Sequence, residues 1–348
     1  PPVVFRPRSL TVDEEHVFVD ARAVPAGLAD VGLYCFHNAE RLSECDEGPW
    51  LSLGRLRGRS DARLWGDIAS WLEGRLGLRS GTIKFSVRVD RVSFLEELDE
   101  VLWTLRTRVL SVACGRFELV RDIITRSDRT NGVTPGRGFL TVDRAPLAPA
   151  ARRVVEICRR RGVPSIGPVL ATAGATRSNF AQVYAHVARQ ARLGFDGTRV
   201  MDADLVPVAR AALAASFRAG DSYRAEWLGR PAPPPTENAV RENIEVALVH
   251  LRGIFEGQSR VRVDSLLEDG ASARAARAQL WEWQRARIPL SSDRPLDRER
   301  LLRLVREESS RLSSPAPVRA LLEHICLAET ADALLERETR LQRELTSK

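Results

Sequence analysis

The chain has 348 residues, 44% apolar and 28% charged, with a mean hydropathy of −0.21, which is the composition of a folded chain and excludes a disordered or fibrous one. No apolar run approaches the roughly 18–20 residues of a bilayer-spanning helix, so no membrane partner is expected. The formal charge is +7 and the basic residues are nearly all Arg, with Lys only at Lys84 and Lys348; they are interspersed with Asp and Glu, so no nucleic-acid partner is expected either.

This length exceeds one small core and suffices for a large α/β barrel with an appendage. Over the first two thirds, short β-rich runs alternate with longer helical patterns, the order of parallel strands joined by crossover helices. Residues 3–8 read as a strand. The sequence starts inside it with neither Met nor a signal-peptide layout, so further strands upstream are expected. A turn at 46–49 precedes a second strand at 50–56, and an amphipathic helix spans 61–76. Residues 83–89 alternate as a strand ending at Asp90, and 95–106 return as a helix. The next strand, 110–114, runs into Gly115-Arg116-Phe117-Glu118, where Gly115 allows a close backbone approach.

Residues 127–149 are rich in Gly, Pro, Asp and Arg without an apolar period, the signature of a lid or binding loop. A helix at 150–161, a strand at 165–171, a helix at 179–193, a strand at 194–201 and a helix at 206–217 follow. Gly229-Arg230-Pro231-Ala232-Pro233-Pro234-Pro235 is the clearest linker, and the chain beyond 236 is mostly helical. Six strands fall short of the eight that close a barrel, which leaves either an open sheet or absent strands. The expected division is a barrel domain at 1–220, a Pro-rich linker at 221–235 and a helical domain at 236–348.

Five cysteines without CxxC spacing indicate neither a disulfide framework nor a thiolate metal site, and fit a reducing cytoplasm. The five histidines form no HxH or HxxxH pair, so carboxylates are the expected ligands of any metal. His37, placed at an apolar helix start, His186 and His250 read as structural. Cys114 reads as a core thiol, and Trp281 with Trp283 as a packing pair.

Several motifs occur in order along almost the whole chain: Arg6-Pro7-Arg8, Gly32-Leu33-Tyr34, Phe36-His37-Asn38-Ala39, Gly81-Thr82-Ile83-Lys84, Cys114-Gly115-Arg116, Gly194-Phe195-Asp196-Gly197-Thr198, Glu268-Asp269 and Trp281-Glu282-Trp283. Together they resemble malate synthase in its shorter form, which lacks a large inserted domain. The resemblance implies a TIM-type (β/α)8 barrel with a helical C-terminal domain. It also implies a cytoplasmic acyltransferase that performs a Mg²⁺-dependent Claisen condensation of an acyl-CoA with glyoxylate or a similar 2-oxo acid, followed by thioester hydrolysis. Its partners are then those small molecules.

Carried over residue by residue, the resemblance makes Arg6 the catalytic cation and Asp269 the catalytic base. Asp90 and Glu118, each ending a strand, become the Mg²⁺ carboxylates, while Gly115, Arg116 and Phe117 hold the substrate. Asp90 replaces a family Glu and Glu118 a family Asp, a reciprocal exchange that conserves charge. Leu53-Gly54-Arg55-Leu56-Arg57-Gly58 replaces Leu-Pro-Lys-x-Glu-Ser, Thr141-Val142-Asp143-Arg144-Ala145 replaces Thr-Val-Pro-Phe-Met, and Gly167-Pro168-Val169-Leu170 replaces Gly-Gly-Met-Ala. These departures point to an altered acyl donor or oxo acid. A lyase or thioesterase acting on a β-hydroxyacyl thioester, or a non-catalytic relative, are the alternatives.

Overall fold

The computed structural model describes residues 3–45, 47–126, 133–174, 176–218, 233–290 and 294–346. The first part of the chain runs β1 (Val4–Phe5), β2 (Asp13–Val19), β3 (Arg22–Pro25), α1 (Ala26–Glu44), β4 (Trp50–Leu53), α2 (Arg59–Leu76), β5 (Lys84–Val89), α3 (Phe94–Thr104) and β6 (Val109–Cys114). There follow α4 (Arg116–Arg126), a 3₁₀ turn at Arg137–Phe139, α5 (Ala148–Arg161), β7 (Ser165–Ile166), α6 (Arg177–Leu193) and α7 (Val206–Arg218). The remainder is α8 (Glu237–Phe255), β8 (Arg260–Val263), β9 (Leu266–Asp269), α9 (Gly270–Arg285), α10 (Arg298–Arg311), α11 (Ala316–Cys326) and α12 (Ala331–Thr346). Among the described residues, no helix is long and apolar enough to cross a membrane.

The chain divides into two compact units. The first comprises Pro1–Gly115, Arg152–Pro168 and Gly194–Gly197. It holds a parallel sheet of order β1-β4-β5-β6-β7, whose strands lie side by side in chain order, the β2–β3 hairpin standing apart, as in the wall of a barrel. Alternation sends Leu51, Leu53, Phe85, Val87 and Val89 into the core, where helix residues such as Trp65, Leu98 and Leu102 are also buried. The opposite face carries Ser52, Ser86 and Ser111 in one register row, with the Ser86 and Ser111 hydroxyls 2.9 Å apart.

The second unit comprises Arg116–Ala151, Val169–Leu193 and Thr198–Lys348. Val183 and Val187 of α6 are buried with Leu205, Ala209 and Ala212 of the segment leading into and through α7. Val246 of α8 packs with Ala273 and Ala276 of α9, where the small residues allow close helix approach. The β8–β9 hairpin turns at Asp264, whose φ of 51° suits a two-residue hairpin turn.

Most expected elements are present within a few residues, but several readings change. Residues 13–44 form the β2–β3 hairpin and α1, which the sequence patterns do not anticipate, and His37 is exposed in the middle of α1 rather than at a helix start. The strand expected at 194–201 is reduced to a single bridge between Gly197 and Ile166. Asp196 accepts from the N–H and hydroxyl of Ser165, both at 2.8 Å, so a side chain fills the place of a ladder bond. The expected 165–171 strand stops at Ile166, before Gly167-Pro168, where Pro168 has no N–H to donate. The sheet therefore has five strands and a bridge instead of six strands. Residues 221–232 of the expected linker lie outside the described residues, as do 127–132 of the expected loop.

Candidate active site

In the first unit, strand parity decides which side chains face together. Arg6, just past β1, shares the face of Ser52 and Gly54 on β4 and its extension, and Arg88 and Asp90 share that face on β5 and just beyond. A Cβ on Gly54 would lie 3.5 Å from Asp90 Oδ2, 3.6 Å from Arg88 Cδ and 4.0 Å from Arg6 Nη2. The structure thus brings Arg6 and Asp90 to one point on the sheet and adds Arg88. Arg55 adopts a left-handed φ of 59°, a conformation that costs a non-glycine residue about 1 kcal/mol. Its N–H donates to Asp90 Oδ2 at 2.8 Å. Asp90 is only 7% exposed, a carboxylate buried at a strand end among cations.

Gly115 continues the β6 ladder by donating to the Val89 carbonyl at 2.9 Å. Its neighbour opens α4, which corrects one expectation: Glu118 does not end a strand but lies in the first turn of a helix. An acidic side chain there complements the positive end of the helix dipole. Asp90 and Glu118 are oxygen donors of the kind Mg²⁺ accepts, since it commonly binds one or two carboxylates and retains water. No group of three or more His, Cys, Asp or Glu that could hold a metal occurs among the described residues.

In the second unit, the Arg116 and Arg137 guanidinium groups lie 4.1 and 4.9 Å from the Phe117 ring centroid. Burial, reinforced by the Arg137 charge, pushes Arg116 down to about 10, against the pull of Glu268 and Glu118. Arg137 Nη2 donates to Glu268 Oε1 at 2.6 Å, with both side chains largely buried. Asp269 ends β9 and caps α9: its Oδ1 accepts from the N–H groups of Ala271 and Ser272 at 2.9 and 3.0 Å, and Ser272 Oγ accepts from the Asp269 N–H. This is a capping box, with the carboxylate itself exposed.

The part of the expected binding loop that is described is strapped to α9. Thr134 donates through its N–H and hydroxyl to Glu282, Trp283 Nε1 donates to the Thr134 carbonyl at 2.7 Å, and Gln279 donates to the Pro135 carbonyl at 2.7 Å. Burial pushes the Glu282 carboxyl up to about 6 in spite of the Thr134 bonds. Trp283 is fully buried and Trp281 nearly so, and their Nε1 atoms donate to different partners, the Thr134 and Ala328 carbonyls. Cys114 is buried. His186 shares a hydrogen bond with Gln190, and burial lowers His250 to about 4, which keeps it neutral.

The sequence points to Gly54 and Arg55 only as departures from the family strand, and gives no place to Arg88 near Asp90 or to Arg137 beside Asp269. The period-2 pattern of β5 could have found Arg88. For Arg137 the only local signal is a single Arg between two glycines.

Residues 2–222 match the family model described as malate synthase, TIM barrel domain, and residues 234–339 the one described as malate synthase, C-terminal. The chain belongs to the malate synthase family. The barrel-wall order of its parallel sheet is accordingly that of a TIM barrel domain. Among curated relatives, a malate synthase of Myxococcus xanthus is 31% identical over 80% of this chain and 54% of its own length. A malate synthase of Streptomyces clavuligerus is 31% identical over 83% of this chain and 58% of its own. Malate synthase A of Escherichia coli is 26% identical over 90% and 62%. The chain spans between about half and three fifths of the length of these relatives.

Proposed function

We propose that this malate synthase family member is an acyltransferase that condenses an acetyl-CoA-like acyl-CoA with glyoxylate or a similar 2-oxo acid and then hydrolyses the thioester. The observation that carries the reading is the convergence of Arg6 and Asp90 on the side-chain-free position of Gly54. A cation and a buried carboxylate on one strand-end surface are the parts that enolate chemistry needs. The proposal divides the chain into a barrel domain at 1–220, a linker at 221–235 and a helical domain at 236–348.

In this reading the Asp269 carboxylate removes the α-proton of the acyl thioester, a general-base role. The Arg6 guanidinium stabilises the enolate oxygen as charge develops. Backbone N–H groups over residues 115–118, with Arg116 and Phe117 beside them, hold the carboxylate of the oxo acid. Asp90 and Glu118 would hold Mg²⁺, which when bound supplies Lewis-acid polarisation of the aldehyde. Attack of the enolate carbon on the aldehyde carbon forms the new C–C bond. Water then cleaves the thioester, releasing a hydroxydicarboxylate and the free thiol of CoA. Gly54 and the other departures from the family pattern bear on which acyl donor and oxo acid are used.

The test is free-thiol release from acetyl-CoA and glyoxylate with and without Mg²⁺, in the native chain and in Asp269→Asn and Arg6→Met. The reading expects release that needs both substrates and the metal, and a loss of at least 100-fold in either variant. Release that persists unchanged in Asp269→Asn would remove the base from this account.

A further inference from the structure

We propose that Arg137 is a positioning residue for Asp269, an inference that rests on the reading of Asp269 as the base. Asp269 is exposed, so its direction is set by its backbone and by the capping box it forms. Both are fixed from outside by one guanidinium. Alternation along β9 sends Glu268 inward while Asp269 points out, and the Glu268 residue is 3% exposed. A buried carboxylate needs a cation, and Arg137 Nη2 provides it at 2.6 Å. Arg137 Nη1 donates to the carbonyl oxygen of Ser272 at 3.4 Å. One side chain thereby grips the residue before Asp269 and the residue that closes its cap.

Arg137 is itself held in place. Its guanidinium lies against the Phe117 ring, and the strand of chain leading to it is tied to α9 through Thr134, Pro135, Gln279, Glu282 and Trp283. The same α9 begins at the Asp269 cap, so strap and cap share one rigid helix. Only a planar, two-ended cation reaches both Glu268 and Ser272. Lys has a single ammonium and satisfies one of the two.

The experiment uses the full chain and two readouts. Amide hydrogen exchange at Ala271 and Ser272, whose N–H groups Asp269 caps, is compared in the native protein, Arg137→Met and Arg137→Lys. The Ala239 amide, capped by Thr236 at α8, serves as the internal control for global loss of stability. The proposal expects exchange at Ala271 and Ser272 to rise at least tenfold in Arg137→Met and less in Arg137→Lys, with Ala239 unchanged. In thiol release from acetyl-CoA and glyoxylate, kcat should fall 10- to 100-fold with KM within threefold. Should Arg137→Met fail to fold, Arg137→Lys with Glu268→Gln carries the same comparison. Unchanged exchange at both amides overturns the proposal, whatever the activity. A native chain without activity would defeat the catalytic reading alone, because the exchange result still shows whether Arg137 holds the Asp269 cap.

Discussion

Replacing Glu73 by Gln should strongly destabilise the first unit. Glu73 of α2 is 2% exposed and receives Arg108, the residue just before β6, through two parallel bonds of 2.5 and 2.8 Å. The N–H groups of Ile83 and Gly81 also donate to it, at 2.8 and 3.0 Å, so one carboxylate pins α2 to the starts of β5 and β6. Burial pushes this carboxyl up, but Arg108 and the two N–H groups outweigh it and leave it below the usual Glu range. Gln keeps the shape and removes the charge, leaving the Arg108 guanidinium buried without its counter-ion. Breaking such a pair from one side costs about 3–5 kcal/mol, a large share of the roughly 5–15 kcal/mol that holds a domain folded.

Urea unfolding followed by circular dichroism at pH 7 measures the loss. The double variant Glu73→Leu with Arg108→Met should recover most of it, because two apolar groups leave no buried charge behind. The sign with pH follows from the lowered carboxyl: its stabilisation is present above the unfolded-state value and is lost as pH falls through the depressed folded one. A loss below about 1 kcal/mol in Glu73→Gln, or a double variant no more stable than the single, would refute the reasoning.

Glu282 has the opposite sign. Its carboxyl is raised to about 6, so it favours folding below the unfolded value of about 4.5 and withdraws roughly 2 kcal/mol as pH rises through 6; Glu282→Gln should flatten that part of the stability profile. Asp99, held down to about 2 by Arg161 and Arg160, should titrate near 2 by carbon NMR and move up in Arg161→Met. Gly27→Ala would put a Cβ 2.6 Å from the Arg8 carbonyl oxygen, costing about 1–3 kcal/mol by overpacking and lowering activity through displacement of the segment that carries Arg6; equal activity and melting temperature would contradict this. Trp283→Phe loses the bond to the Thr134 carbonyl and should cost about 1–3 kcal/mol, read by urea unfolding.

Much of the first unit was legible because its strands are buried on one face and its helices are amphipathic. Residues 84–89 alternate cleanly and end at Asp90, and α2 and α3 show helical spacing. Local patterns mislead where side chains or a glycine stand in for strand pairing. Asp196 satisfies Ser165 without a strand, and Gly115 ends β6 so that Glu118 enters a helix. The β8–β9 hairpin was visible in the alternation Arg260-Val261-Arg262-Val263 followed by Asp264-Ser265, but the helical surroundings masked it. At the candidate site, charged residues next to strand ends were readable, whereas Arg137 meets Glu268 across 131 residues of sequence, a pairing that no local pattern encodes.

Whether this chain joins an acyl carbon to a 2-oxo acid is read by carbon NMR of [2-¹³C]acetyl-CoA incubated with the protein, glyoxylate and Mg²⁺. The label should leave the thioester methyl and appear as the methylene of a hydroxydicarboxylate, with free CoA in equal amount. Label recovered only in acetate, or left in the thioester, would contradict the condensation.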